Sequence, residues 1–317
     1  MSQFCLPFSA ISRQDVPVAG GKGANLGDMA QAGLPVPPGF VITAMAYRKM
    51  FAGSELEEKV NRILSSIDRE NNDTLMEVEV QIRTLFEQQV MEAELRTEIL
   101  DLYHALGNNV PVAVRSSATA EDLINASFAG QQNTYLNVYG DDELIRMVWA
   151  CWSSLFTCQA IYYRYRNGFN DADVSMAVVV QKMVSANKAG VIFTVDPVSR
   201  NPYQMIVEGV YGLGEGIVSG TITPDHFKVD RETMEIRFKF IAPKGMMITK
   251  DNVCGIIEAP VPDEIKTQPV LNEQELELLI NMANRVEEHF GSPQDIEWGA
   301  EDNQFYLLQS RCITTLQ

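Results

Sequence analysis

AVRSSATAEDLINASFAGQQNTYLNV, residues 113–138, decides how the rest of the chain is read. Its start continues a strand pattern that opens at Pro111, PVAVRSS, and its end, TYLNV at 134–138, reads as a second strand. Between them Arg115 is followed by a run of Ser, Thr, Ala and Gly with almost no apolar side chains to anchor it. A cation at a strand end followed by small residues leaves backbone N–H groups free to close over an anion, where bulky side chains would block the approach. The plain alternative is an ordinary surface loop with Arg115 paired to Glu121 or Asp122.

Outward from this stretch the pattern mixes helix and strand. Residues 20–33, GGKGANLGDMAQAG, read as a glycine turn entering a short helix, with Leu26, Met29 and Ala30 on one face and Gly33 as its cap. The proline-rich LPVPPGFVIT suits an extended connector. Helical periodicity follows over 55–70, 74–91 and 92–106, and a long helix is expected over 141–167, with Asp141 and Asp142 in its first turn and Gly168 at its end. Within it MVWACWSSLF places aromatic residues at helical spacing, which reads as core. Strands are expected at 176–184, 190–196, 204–210 and 234–240, then a helix at 273–290 and two last strands, DIEWGA and QFYLLQSR. The class is α+β, in two lobes, residues 1–182 and 183–317.

Composition narrows the function. A chain of 317 residues exceeds the usual single-core size. The net charge of -17 argues against a nucleic-acid partner, since a phosphate backbone demands a basic face, but leaves room for a small anion held by a few named cations. No run approaches the roughly 20 apolar residues of a membrane span, so a cytoplasmic protein without a membrane partner is expected. Five cysteines without a CxxC pair suggest neither a disulfide framework nor a zinc site, and three scattered histidines suggest no histidine-rich metal enzyme.

Three further constellations bear on chemistry. Gly20-Gly21-Lys22-Gly23 lets backbone approach a ligand, supplies a point charge and precedes a helix N-terminus, although it is no Walker A loop. Gly212-Leu213-Gly214-Glu215-Gly216 lacks the glycine spacing and the βαβ context of a dinucleotide fingerprint. Finally, DIEW at 295–298 and LLQSR at 307–311, joined by a turn-prone GAEDNQ, form a hairpin by alternation. If their polar faces coincide, Asp295 and Glu297 meet Gln309 and Arg311. Hard carboxylate and amide oxygens suit Mg²⁺ on a polyphosphate, while an arginine neutralises the charge on the moving group. The alternative is an exposed hairpin with a cross-strand ion pair.

With these residues assembled, the sequence resembles the nucleotide-binding domain of the phosphoenolpyruvate synthase and pyruvate phosphate dikinase family, and is very similar to that of the rifampicin phosphotransferases. The resemblance is carried by GGKGANLGDM, PVPPGFVIT, the opening stretch, VVVQKMV, GVIFTVDP, GLGEGIVSG, PQDIEW and QSRCITTL, which together span essentially the whole chain. It implies an ATP-grasp fold in which two lobes clamp ATP. It also implies roles. Lys22, Arg115 and Arg311 would contact phosphates; Gly130, Gln131 and Thr134 would belong to the segment closing over the nucleotide. Gln181, Met183 and Val184 would edge the adenine, Glu215 would be a further nucleotide contact, and Glu297 with Gln309 would hold Mg²⁺.

Family enzymes pass the β-phosphoryl end of ATP to a histidine on a separate swivelling domain, leaving AMP. The histidine then phosphorylates pyruvate or rifampicin. His104, His226 and His289 match no such histidine motif, so the phosphohistidine domain is expected elsewhere, in the same full-length chain or in a partner protein. Cys312 stands where the family usually has proline. A non-catalytic nucleotide-binding interaction domain is the competing reading.

Overall fold

The computed structural model describes residues 4–119, 133–169 and 174–313. The loop positions Gly130 and Gln131 lie outside the described residues. Two compact units are present, one made of Met1–Asp28 and Pro38–Met183, the other of Met29–Pro37 and Val184–Gln317.

The first unit is built on β1 (Cys5–Pro7), β2 (Gly39–Ile42), β3 (Val112–Ala118), β4 (Thr134–Val138) and β5 (Met176–Lys182). They form one sheet in the order β1-β2-β5-β3-β4, with every neighbouring pair antiparallel. Strand alternation sorts the side chains. Phe40, Ile42, Val112, Val114, Val178 and Val180 point into the main apolar core, while Val41, Arg115, Ser117, Val179 and Gln181 alternate with them toward the other face.

Helices α1 (Val16–Gln31), α2 (Ala44–Phe51), α3 (Glu55–Ser65), α4 (Asn72–Glu87), α5 (Ala93–Ala105), α6 (Asp141–Ser153) and α7 (Cys158–Asn167) surround this sheet, α1 continuing past Asp28 into residues counted with the second unit. The core side takes α2 through α7: Tyr47, Phe51, Phe86, Trp149, Trp152 and Phe156 pack there as one aromatic cluster. Trp149 and Trp152 meet edge to face at 4.9 Å and are at most 4% exposed, so the aromatic spacing in this helix is core packing.

The single helix expected over 141–167 is broken. Ser153 and Ser154 hydroxyls bond back to the carbonyls of Ala150 and Cys151, a one-turn 3-10 segment covers Ser154–Phe156, and Thr157 restarts the chain as an N-cap by accepting from the Ala160 N–H. Periodicity survives such a break, which is why the sequence reads as one helix. Gly168 closes it in the left-handed conformation, as expected. No single helix among the described residues is long and apolar enough to cross a membrane.

The second unit carries β6 (Lys188–Phe193), β7 (Gln204–Tyr211), the short α8 (Glu215–Val218), β8 (Asp225–Asp230), β9 (Ile236–Phe240), β10 (Met246–Lys250), β11 (Ile256–Pro260), α9 (Glu273–Phe290), β12 (Gln294–Glu301) and β13 (Gln304–Cys312). Its main sheet is antiparallel throughout, in the order β13-β12-β6-β7-β8-β9, and β10 pairs with β11 apart from it. Asn272 and Glu275 form a capping box at the start of α9, and Gly291 ends it.

The helix covers one sheet face: Lys188, in register with Ala300, reaches Glu275 of α9 at 2.6 Å, and Ile296 and Trp298 share that face. Gly190 is required beneath the indole, because a Cβ there would lie 1.9 Å from the Glu208 carbonyl and 2.8 Å from the Trp298 ring. The alternate residues of β12, Asp295 and Glu297, therefore point to the opposite face.

One buried ion pair ties the second unit together. Asp225 and Lys244 are fully buried and directly hydrogen-bonded. The remaining capacity of the carboxylate is used by the N–H groups of Ala242 (3.0 Å) and Val270 (2.7 Å), while Lys244 also donates to the Ala242 carbonyl at 2.8 Å. A buried charge needs this degree of satisfaction.

Candidate functional site

In the first unit, Gly20 interrupts α1 with φ 68 and ψ 170, so a fresh helical turn starts at Gly21-Lys22-Gly23. This turn is fixed to β3. The Ser117 hydroxyl donates to the Ala19 carbonyl at 2.9 Å and accepts from the Gly23 N–H at 3.1 Å. No side chain fits in this seam: a Cβ on Gly20 would lie 2.3 Å from the Ser117 carbonyl oxygen, and one on Gly23 2.9 Å from a Val41 methyl. Gly20 and Gly23, on either side of Lys22, are thus explained by close packing of helix on strand.

Arg115 lies two residues before Ser117 on the same strand face and is 7% exposed. Its cross-strand partners are Val179 on one side and Thr134 on the other. Lys22, Arg115 and Thr134 are therefore anchored on one face of one sheet, although 93 positions separate the first two in the chain. Gln181, paired with Gly39 and Ala113, shares this face. It is 1% exposed, and its Nε2 has no hydrogen-bond partner among the described residues. A buried amide donor left over in this way fits a polar ligand atom better than it fits a finished core. Beyond it Met183 is held by its N–H to the Pro111 carbonyl at 2.9 Å.

In the second unit the last hairpin delivers its four polar residues in register. Glu297 stands opposite Gln309, and Asp295 opposite Arg311. Gln309 is 8% exposed and Glu297 is half-buried. Arg311 gives both Nε and Nη2 to the same Asp295 oxygen at 2.8 Å, which orients the guanidinium while leaving 57% of its side chain exposed.

Burial pushes the Asp295 carboxyl up from its ordinary value; Arg311 opposes the rise, and the charges of Glu297 and Glu208 add to it. Glu208, on β7, reaches the same face through the row Glu297, Val191, Glu208, and its carboxylate accepts from His226 Nδ1 at 2.8 Å. The site residues did not include this pair when read from sequence; the signal was a lone glutamate inside the apolar strand QMIVEGV. Among the described residues no three His, Cys, Asp or Glu side chains are grouped as a metal site. One carboxylate and one carboxamide oxygen from opposed residues are nevertheless the hard, incomplete donor set that Mg²⁺ takes when phosphate oxygens and water supply the rest.

Val184 opens the second unit and is 8% exposed. Glu215 starts α8 and is half-buried. Gly212 before it serves the fold: it has φ 79, and a Cβ there would lie 2.2 Å from the Ile248 carbonyl oxygen.

The family described as pyruvate phosphate dikinase, AMP/ATP-binding domain, matches residues 16–317. The chain belongs to that family. Among curated relatives of this AMP/ATP-binding domain, a probable phosphoenolpyruvate synthase of Methanocaldococcus jannaschii is 47% identical over 99% of this chain and 27% of its own length. A rifampicin phosphotransferase of Streptomyces sviceus is 40% identical over 99% of this chain and 36% of its own length. The domain thus spans well under half of either relative. A D-alanine–D-alanine ligase structure from Bacillus anthracis aligns over 93% of this chain and 57% of its own, at 11% identity and a TM-score of 0.38.

Proposed function

We propose that this chain is the Mg²⁺·ATP half-site of a dikinase-type phosphotransferase with an ATP-grasp fold. The observation that carries the reading is the register of the last hairpin, which sets Glu297 against Gln309 and points Arg311, held by Asp295, to the same face. Membership of a family described by AMP and ATP binding supports it.

In this reading Glu297 and Gln309 hold Mg²⁺, which would neutralise charge on the phosphate oxygens and fix their direction. Lys22, Arg115 and Arg311 bind the polyphosphate as cations. Gly130, Gln131 and Thr134 supply the segment that closes over it, and Glu215 is a further nucleotide contact. Gln181, Met183 and Val184 edge the adenine, the Gln181 Nε2 offering a donor. The chemistry is mostly positioning and charge neutralisation.

The acceptor is a histidine nitrogen on a separate swivelling domain. It attacks the β-phosphorus, the bond from that phosphorus to the α-bridging oxygen breaks, and AMP leaves with that oxygen. The pyrophosphohistidine so formed loses its γ-phosphoryl group to water as inorganic phosphate, and the phosphohistidine that remains passes its β-derived phosphoryl group to pyruvate or rifampicin. The test is to supply the full-length enzyme, or this chain with its histidine domain, with Mg²⁺·ATP and to identify the nucleotide product by ³¹P NMR. AMP is expected; ADP would overturn the mechanism, and calorimetry showing no nucleotide binding would overturn the whole reading.

A further inference from the structure

Strand β4 does not pair evenly with β3. Arg115 faces Thr134 and Val114 faces Tyr135, but Val112 faces Val138, so Leu136 and Asn137 together stand against Ala113. A bulge of this kind takes a residue out of the ladder and re-aims what lies beside it. Asn137 is the residue that bends: its φ is 55, a left-handed value that asparagine tolerates and β-branched side chains do not. It is also 2% exposed, so its backbone donor must be satisfied by protein.

The acceptor is unusual. The Asn137 N–H donates to the Met183 sulfur at 3.0 Å. A thioether is a weak acceptor, and methionine is otherwise the most adaptable of apolar side chains, well suited to surfaces that re-pack around several ligands. Here the Met183 backbone is tied to Pro111 and its sulfur is tied to the bulge, which removes that adaptability.

We propose that the Asn137 bulge is a positioning element that holds the Met183 thioether in one conformation against the nucleobase and thereby sets the preference for ATP over GTP. This rests on the placing of Met183 at the base under the proposed function. A wall that cannot re-pack discriminates between two purines of different edge chemistry; a mobile methionine accommodates both.

The test uses the intact chain labelled with ¹³C at its methionine methyls, 14 in all, together with calorimetry of Mg²⁺·ATP and Mg²⁺·GTP. In the native protein ATP is expected to move the Met183 resonance. Asn137→Val, which disfavours the left-handed backbone, is expected to shift that resonance before any nucleotide is added and to lower the ATP to GTP affinity ratio about tenfold. Asn137→Gly, which keeps both the positive φ and the N–H, is expected to hold the ratio within about threefold of native.

If Asn137→Val does not fold, Met183→Leu takes its place, since it removes the acceptor and should lower the ratio equally. An unchanged ratio in Asn137→Val or Met183→Leu overturns the proposal, as does a loss in Asn137→Gly as large as that in Asn137→Val. ATP binding that leaves the native Met183 resonance unmoved overturns the base assignment itself and the selectivity claim with it. A Met183 shift in ligand-free Asn137→Val then still distinguishes a true positioning contact from a wrong base assignment.

Discussion

Glu297 and Gln309 face each other directly across β12 and β13, and the ladder slips by one residue immediately beyond Glu297. The irregularity leaves Leu308 without a partner in the ladder, and regular pairing resumes at Trp298 with Leu307. If Glu297 and Gln309 hold Mg²⁺ as proposed, replacing either should act on metal-dependent binding. Glu297→Ala or Gln309→Ala is expected to weaken Mg²⁺·ATP affinity by about tenfold or more, with little change in melting temperature. Calorimetry with and without Mg²⁺, beside a thermal melt, checks both halves of the statement.

Arg311 is aimed by Asp295, and both of its contacting nitrogens use one carboxylate oxygen. A lysine has no such fork. Arg311→Lys is accordingly expected to lose most phosphoryl transfer, and Arg311→Ala all of it, while both keep the native melting temperature within a few degrees. Single-turnover assays with the histidine domain present read the first effect and thermal unfolding the second.

The seam between α1 and β3 makes a contrasting prediction. Gly20→Ala places a Cβ at 2.3 Å from the Ser117 carbonyl oxygen, at a positive φ, and should cost on the order of 2–4 kcal/mol of stability. Lys22→Ala should leave stability nearly untouched and lower nucleotide affinity. Equal melting temperatures for the two variants would contradict the packing described for this seam.

Asp196 offers a pH test. Burial alone would raise its carboxyl, yet Lys228 and the N–H groups of Ser199 and Val198 hold it well below the ordinary carboxylate range. A folded-state value below the unfolded one contributes stability that is fully present above about pH 4 and is lost as pH falls below it. Asp196→Asn is expected to be destabilised at neutral pH by roughly 1–3 kcal/mol. The gap to the native protein should close as pH drops from about 4 toward strong acid, measured by urea unfolding across that range.

The buried pair gives a fifth prediction. Asp225→Ala strands the Lys244 charge and two backbone donors, and should cost roughly 3–5 kcal/mol in chemical denaturation. Replacing both partners, Asp225→Leu with Lys244→Met, should recover part of that loss.

Much of this was legible from local pattern. Alternation and the turn-prone GAEDNQ placed Asp295, Glu297, Gln309 and Arg311 in a hairpin with each pair on one face of its strand, while the coincidence of the two faces depends on the register. The α+β class, the extent of α9 and the strand after Pro111 were equally readable. What escaped depended on distant or geometric partners. Asp225 and Lys244 carry no local sign of each other, since their pairing is set by how the chain folds back after β9. TYLNV reads as uniform alternation, and nothing in five letters announces that Asn137 steps out of it. Glu208 joins the polar face only once β6 and β7 are in register.

Residues Met29–Pro37 belong with the second unit, and there the Pro35 carbonyl accepts the Leu307 N–H at 2.9 Å. A polypeptide made only of Val184–Gln317 would therefore lack the acceptor of the Leu307 N–H, and would be the poorer folder for it. Dissection of this protein by expression of halves needs a graft of that proline-rich strap, or co-production of the missing peptide, to yield a sound fragment.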